Sequence, residues 1–263
     1  MTGVPLDAAA LRPHVEALGC DWHYLDETGS TNADALEYHA RHGREVVVFA
    51  EMQHAGRGRR GRSWLSPRAR NLYCTVGLSH DLPPASQGLL SIVTGVALCR
   101  ELRHFTGLDI GLKWPNDLLL DERKLGGILI ESRATPDGRF FFAIGFGLNL
   151  LMDAEELAAL DRPATSLAEA LDGDLDRGEV LLPLVQAVVR SIRDFAPSAA
   201  AQLASEFAGY DVYHGRPVEL DSGGERLRGI NRGIADNGEL QLEDEQGISR
   251  HAAAEISLRS GDR

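Results

Sequence analysis

The chain has 263 residues, 43% of them hydrophobic and 25% charged, which are ordinary globular values and leave enough apolar material for a sizeable core. A formal net charge of −12 excludes a surface that is wholly a nucleic-acid footprint, although local basic sites remain compatible with it. Cys20, Cys74 and Cys99 are far apart and form no C-x-x-C pair, which argues against a disulfide framework or a zinc site and for reduced thiols.

Residues 1–25 are too few for a folded DNA-binding module and lack the pattern of a signal peptide. Thr31-x-x-Asp34 opens a helix predicted to run to about His42, capped by Ser30 or Thr31. Glu45 to Glu51 is β-branched and apolar, the pattern of a buried strand. Gln53 to Arg70 is rich in glycine and arginine and reads as loop, followed by a strand over Asn71 to Ser79 and a helix over Gln87 to Phe105. The apolar run Gly88 to Cys99 within that helix is too short to span a bilayer, so a cytoplasmic protein away from membranes is expected. Asp109 to Leu150 reads as successive strands turning at Asp121-Glu122-Arg123 and Pro136-Asp137-Gly138. Helices are predicted at Ala154–Leu160, Glu179–Phe195 and Ala199–Ala208. Beyond Gly209, short β-type runs (Arg216–Leu220, Leu227–Arg232, Glu239–Leu242) alternate with turns at Ser222-Gly223-Gly224, Asp236-Asn237-Gly238 and Glu245-Gln246-Gly247. The expected organisation is a catalytic unit with mixed sheet and helices over residues 1–208 and a small all-β unit over residues 209–263.

Four segments carry chemistry. Between Glu51 and Arg70 stand six arginines (Arg57, Arg59, Arg60, Arg62, Arg68, Arg70) and one acid, in a strongly acidic chain. Such a cluster repels itself unless an anion sits among the guanidinium groups, whose planar forks suit phosphate and carboxylate. The interleaved glycines let backbone N–H groups close on that anion, and Trp64 offers a flat wall for a ring. Composition alone leaves a solvated basic loop or a nucleic-acid patch equally open. In Lys113-Trp114-Pro115-Asn116-Asp117, proline ends a strand and displays Asn116 and Asp117, as a plain turn or as a grip on a sugar, base or metal. In Lys124-Leu125-Gly126-Gly127, paired glycines at a strand's start imply close approach of a ligand or of another backbone, with Lys124 either a solvated hairpin lysine or a charge partner. Gly145-Phe146-Gly147-Leu148-Asn149 lacks the third glycine and the helix of a dinucleotide fingerprint, and no phosphate-binding G-x-x-x-x-G-K-[ST] loop occurs.

The order S-T-N (Ser30–Asn32), G-R-G-R-R-G-R-x-W, K-W-P-N-D, K-L-G-G-I-L and G-x-G-x-N resembles the catalytic domain of bacterial biotin–protein ligases, and Glu255 to Ser260 resembles that family's C-terminal end. The resemblance covers about residues 25 to 263. It implies an α+β fold, a mixed β-sheet with flanking helices of the class II synthetase and biotin–lipoate ligase kind, followed by a small SH3-like β-barrel. It implies ATP and biotin as substrates with Mg2+, and a biotin carboxyl carrier protein of acetyl-CoA carboxylase or another biotin-dependent carboxylase as partner. Ser30, Thr31, Asn32, Gln53, Arg57, Gly58, Arg59 and Lys124 would hold biotin, with Lys124 and Arg59 catalytic. Arg60, Arg62, Trp64, Asn116, Asp117, Gly127, Asn149 and Arg259 would shape the adenylate pocket, with no dedicated protein metal site. The arginine loop would gain order on binding. The S-T-N motif already begins at residue 30, so no DNA binding is expected, and monomer and homodimer both stay open. A lipoate–protein ligase shares the chemistry, but the arginine loop with K-W-P-N-D favours biotin. A biotin-sensing regulator or RNA-binding protein is disfavoured, because the basic patch is a single loop.

Overall fold

The computed structural model describes residues 3–171, 175–222, 225–252 and 256–260. The helices are α1 (Ala8–Glu16), α2 (Thr31–His42), α3 (Gln87–Thr106), α4 (Ala154–Ala158), α5 (Leu167–Leu171), α6 (Arg177–Asp194) and α7 (Ala200–Ala208). The strands are β1 (Asp21–Leu25), β2 (Val46–Ala50), β3 (Leu72–His80), β4 (Gly111–Lys113), β5 (Asp117–Leu120), β6 (Arg123–Ala134), β7 (Phe140–Leu148), β8 (Pro217–Ser222), β9 (Glu225–Ile234), β10 (Leu240–Asp244), β11 (Gly247–His251) and β12 (Ile256–Ser260).

Seven strands form one mixed sheet in the order β1-β2-β3-β7-β6-β5-β4. Only β1 and β2 run parallel, joined by α2 as crossover; the other neighbours are antiparallel. The sheet is covered on both faces, which explains why Val46 to Ala50 is apolar without alternation. Val47 and Phe49 pack into the large core under α3 and α6, whereas Val46 and Val48 join Ala35, Phe141 and Ala143 beneath α2. Helix α6 buries Val180, Leu184, Val188 and Ile192 at regular helical spacing, and Asp176 caps it by accepting from the N–H groups of Gly178 and Glu179.

The second sheet is antiparallel, in the order β11-β10-β9-β8-β12, the architecture of a small barrel-like unit. It contains two strands beyond the three short runs read from sequence. It docks on the first through Trp114, fully buried, whose Nε1 donates to the Gly238 carbonyl at 3.0 Å. The turn at Asp236-Asn237-Gly238 thus holds the K-W-P-N-D segment in place. Gly223 and Gly224 of the expected turn lie outside the described residues.

Besides β11 and β12, three elements were not read from the sequence: α1, β1 and the short α5. One local expectation is corrected. Ser30 is the N-cap residue of α2 but makes no capping hydrogen bond, and Asp34 does not close a box with Thr31. The Asp34 carboxylate accepts from the Thr28 hydroxyl at 2.6 Å, and the Thr31 N–H donates to Gln53 Oε1 at 3.0 Å. The first turn of α2 is therefore satisfied from the loop across from it.

A buried ion pair fastens the base of that loop. Glu51 (0% exposed) accepts from the Arg177 guanidinium (2% exposed) at 2.5 Å, and also from the Leu6 N–H and the Tyr24 hydroxyl. Arg177 further donates to the Val4 and Asn71 carbonyls, so one charge pair joins the N-terminal segment, β2 and α6.

Candidate active site

The arginine loop folds back on itself as a hairpin. The Trp64 N–H donates to the Gly56 carbonyl at 2.8 Å and the Gly58 N–H to the Arg62 carbonyl at 2.7 Å. Its tip, Arg59 to Gly61, is one tight turn with both Arg60 (φ 59°) and Gly61 (φ 70°) left-handed. Gly56 permits the closure, because a Cβ there would stand 2.5 Å from the Trp64 carbonyl oxygen. The hairpin arches over the sheet where β6 and β7 present glycines.

Beneath it lies a cavity of about 130 Å³. The start of α2 contributes Ser30, Thr31 and Asn32; the loop contributes Gln53, Arg57, Gly58, Arg59, Arg60, Arg62 and Trp64; the turn after β4 contributes Asn116 and Asp117; and β6 contributes Lys124 and Gly127. Lys113 and Arg162 complete seven basic residues on its lining, against the single acid Asp117. Burial and the neighbouring Arg60 push the Arg59 guanidinium below its ordinary value, as befits a cation in a site short of negative charge. Arg59 donates to Asn116 Oδ1 at 3.4 Å, across the mouth of the cavity.

A second cavity of about 790 Å³ adjoins the first and shares Arg62, Ser63, Trp64, Lys113, Asp117, Lys124 and Arg162 with it. Lys124 sits at the junction. Its Nζ is 2.6 Å from Asp117 Oδ1 and 5.4 Å from the centre of the Trp64 ring, and its side chain is 14% exposed. Gly127 lies beside this pair, where an added Cβ would come only into ordinary contact with Lys124 Nζ, at 3.4 Å. Gly126 answers to the other reading of paired glycines, with the Gly147 carbonyl 2.7 Å from where its Cβ would be.

The G-x-G segment on β7 serves two side chains. A Cβ at Gly145 would stand 2.2 Å from Asn32 Oδ1, and one at Gly147 would stand 2.6 Å from the Trp64 ring. Trp64 thus lies flat on the backbone of β7; its buried Nε1 has no hydrogen-bond partner among the described residues. Asn32 is held from three sides. Its Nδ2 donates to the Leu129 carbonyl and to Glu131 Oε2, and its Oδ1 lies 2.7 Å from the Thr75 hydroxyl. Gln53 is held likewise, its Nε2 donating to Ser66 Oγ and its Oε1 accepting from Thr31.

Of the residues singled out in sequence, Ser30, Thr31, Asn32, Gln53, Arg57, Gly58, Arg59, Arg60, Arg62, Trp64, Asn116, Asp117, Lys124 and Gly127 converge on the first cavity. Asn149 does not line it. It borders the second cavity with its amide donating to the Thr165 carbonyl at 3.1 Å, and the Lys124 and Thr165 backbones bond to each other there. That stitching places Arg162 on the same two cavity linings as Lys124. Arg259 lies on β12 opposite Glu219, and its side chain is outside the described residues. Arg162, Thr75, Ser66 and Glu131 were given no role by the sequence reading, and Lys113, although it opens K-W-P-N-D, was given none of its own. A threonine inside an otherwise apolar strand (Leu72 to Leu78) was a usable signal for Thr75; Arg162, Ser66 and Glu131 stand in no local pattern that marks a site. A wider recess of about 1240 Å³ near α1 collects Asp7, Asp153, Glu169, Asp176 and Glu179 and lacks this convergence of cations.

Fold and site together define a class: a mixed-sheet domain whose cationic site is formed by two adjoining cavities. Residues 25–149 match the model of the biotin/lipoate A/B protein ligase family, and residues 213–259 match that of the biotin protein ligase C-terminal domain. The chain is 36% identical over 250 residues to biotin–[acetyl-CoA-carboxylase] ligase of Mycobacterium tuberculosis, covering 91% of this chain and 90% of that protein. It is 36% identical over 217 residues to the bifunctional ligase/repressor BirA of Escherichia coli, covering 82% of this chain and 67% of that one. Its fold superposes on the biotin protein ligase of Aquifex aeolicus in complex with biotin and ATP with a TM-score of 0.75 and 28% identity, over 91% of this chain and 99% of that one. The chain belongs to the biotin/lipoate A/B protein ligase family, on its biotin protein ligase branch.

Proposed function

We propose that this protein activates biotin with ATP to biotinyl-5′-adenylate and transfers the biotin to a lysine of a biotin carboxyl carrier domain, such as that of acetyl-CoA carboxylase. The observation that carries the reading is Lys124 at the junction of two chambers, ringed by the loop arginines. Biotin's ring system fits the smaller chamber, which ends in the polar set Ser30, Thr31, Asn32 and Gln53. The nucleotide fits the larger one, with Trp64 as its flat wall. The carboxylate and the α-phosphate then meet beside Lys124.

In the first step a carboxylate oxygen of biotin attacks the α-phosphorus; a P–O bond forms and pyrophosphate leaves with the electron pair. Two anions must be brought together, and fixed cations lower that barrier because they are in place before charge shifts. Lys124 bridges both reacting groups, while Arg57, Arg59, Arg60 and Arg62 close over them from the loop. In the second step the acceptor's uncharged lysine amine attacks the acyl carbon, an amide forms, AMP leaves and the amine's proton is released. No covalent enzyme nucleophile is required. Magnesium would arrive on the ATP phosphates, whose charge it offsets; Asp117 on the shared lining is a carboxylate suited to meet it, as magnesium sites commonly combine one or two carboxylates with substrate phosphates. We also propose that residues 1–208 are the catalytic unit and 209–263 its C-terminal companion. A cytoplasmic setting accords with three free, buried cysteines.

The test is to incubate the protein with ATP, magnesium, labelled biotin and a carrier domain. Label should appear on the carrier lysine. Transfer of lipoate in its place, with no biotin transferred, would overturn the proposal.

A further inference from the structure

Glu131, on β6, has no part in the roles assigned so far. Its Oε2 accepts from Asn32 Nδ2 at 2.9 Å and from Arg57 NH2 at 3.1 Å. These donors come from the first turn of α2 and from the arginine hairpin, which are 25 residues apart in the chain and line the same cavity. The carboxylate is 28% exposed and the Arg57 side chain 47% exposed, so the pair sits at the rim and not in the core.

We propose that Glu131 is a positioning residue that sets Arg57 over the cavity and ties the arginine hairpin to the start of α2. This inference rests on the biotin reading of the site. Three observations carry it. Arg57 engages Glu131 through NH2, and its remaining guanidinium donors have no partner among the described residues, which leaves them to a ligand carboxylate. The same oxygen fixes the Asn32 amide, whose Oδ1 is turned to Thr75 and whose room is left by the absence of a Cβ at Gly145. Arg59 reaches Asn116, so the Arg57–Glu131 contact is a second strap holding the hairpin. A carboxylate in this place does what an apolar residue could not: it neutralises one cation of a self-repelling loop before any ligand arrives.

The experiment compares wild type, Glu131→Gln, Arg57→Ala and the double variant. Glutamine keeps an acceptor for Asn32, so the fold is retained while the charge is lost. Biotin titrated by calorimetry should bind Glu131→Gln about fivefold more weakly, the upper end for a half-exposed pair. ATP affinity should be unchanged. Because Glu131 acts through Arg57, adding Glu131→Gln to Arg57→Ala should weaken binding less than twofold further. Wild-type affinity in Glu131→Gln, tighter binding, or losses that multiply in the double variant would overturn the proposal. Wild-type protein that fails to bind biotin would instead overturn the substrate reading. A ligand-free measurement then decides the inference alone. Trypsin should cut between residues 57 and 62 faster in Glu131→Gln than in wild type, as followed by mass spectrometry, and equal rates would refute the strap.

Discussion

Replacing Gly145 by alanine should loosen the biotin end of the site and cost measurable stability. The added methyl would stand 2.2 Å from Asn32 Oδ1, so either the amide or strand β7 must move by about an ångström to reach an ordinary contact distance. Asn32 is 4% exposed, and its amide makes three hydrogen bonds: to the Leu129 carbonyl, to Glu131 and to Thr75. Each such bond contributes about 1 kcal/mol, and a buried group left unpaired costs somewhat more. Overpacking at a well-filled site costs about 1–3 kcal/mol. Losing one or two of the bonds gives about 2 kcal/mol, or a fall in Tm of about 4–8 °C for a chain of this size. Biotin affinity should fall at least tenfold, because Ser30 and Thr31 share the turn that must shift. Gly147→Ala is the matched control. Its methyl would meet Trp64 at 2.6 Å, but Trp64 belongs to the loop and can swing away, so Tm should change by less than half as much while nucleotide affinity drops. Thermal melts with biotin and ATP titrations on both variants decide the matter. A Gly145→Ala protein that melts within 2 °C of wild type and binds biotin equally well would refute the reasoning.

Glu51→Gln should destabilise the protein by about 3–5 kcal/mol in urea titrations, because the Arg177 charge stays buried without its partner. Combining it with Arg177→Met should recover part of the loss; a double variant worse than the sum of the two would contradict this account. Lys124→Ala should abolish adenylate formation, read as pyrophosphate release with biotin and ATP, and a wild-type rate would remove Lys124 from its proposed role. Burial raises the Cys20 thiol to about 11 and the Cys99 thiol to about 12, against an ordinary value of 9.0, and it raises Cys74 as well. The native protein should therefore resist a thiol reagent at pH 8, whereas urea-unfolded chains react. As pH rises through 9 the unfolded state sheds thiol protons that the native state keeps, so stability should fall from there upward. Rapid labelling of native protein at pH 8, or stability rising between pH 9 and 11, would show the thiols to be accessible.

Much was legible in the sequence wherever the information is local. Helix α2 is announced by the residue types at its start, α3 by its apolar face, β2 by an unbroken apolar run, and the turn at Pro136-Asp137-Gly138 by its residue types. The arginine loop is conspicuous because a positive cluster stands out in a chain of net charge −12. The elements missed had no such signal. Strand β1 is five residues of mixed polarity whose place comes from parallel pairing with β2, and α5 is a five-residue helix without its own amphipathic stripe. Strand β11 is exposed along nearly its whole length, so burial leaves no alternation to read; β10 supplies its bonds.

By itself, then, the sequence determined which residue types the site would use and in what order they come along the chain. That information resides in covalent spacing, in glycine's lack of a Cβ and in charge. Only the tertiary structure decided what those residues touch. Lys124 comes to line the same two cavities as Arg162 through the backbone stitching of β6 to residues 163–165, Asn32 meets Glu131 across 99 positions, and Arg57 meets Glu131 across 74. Contacts at such separations are set by strand order and by which face a strand turns inward, and no local pattern encodes them. The same is true of Gly145 and Gly147, which read as a weak fragment of a nucleotide motif until the sheet placed Asn32 and Trp64 against them.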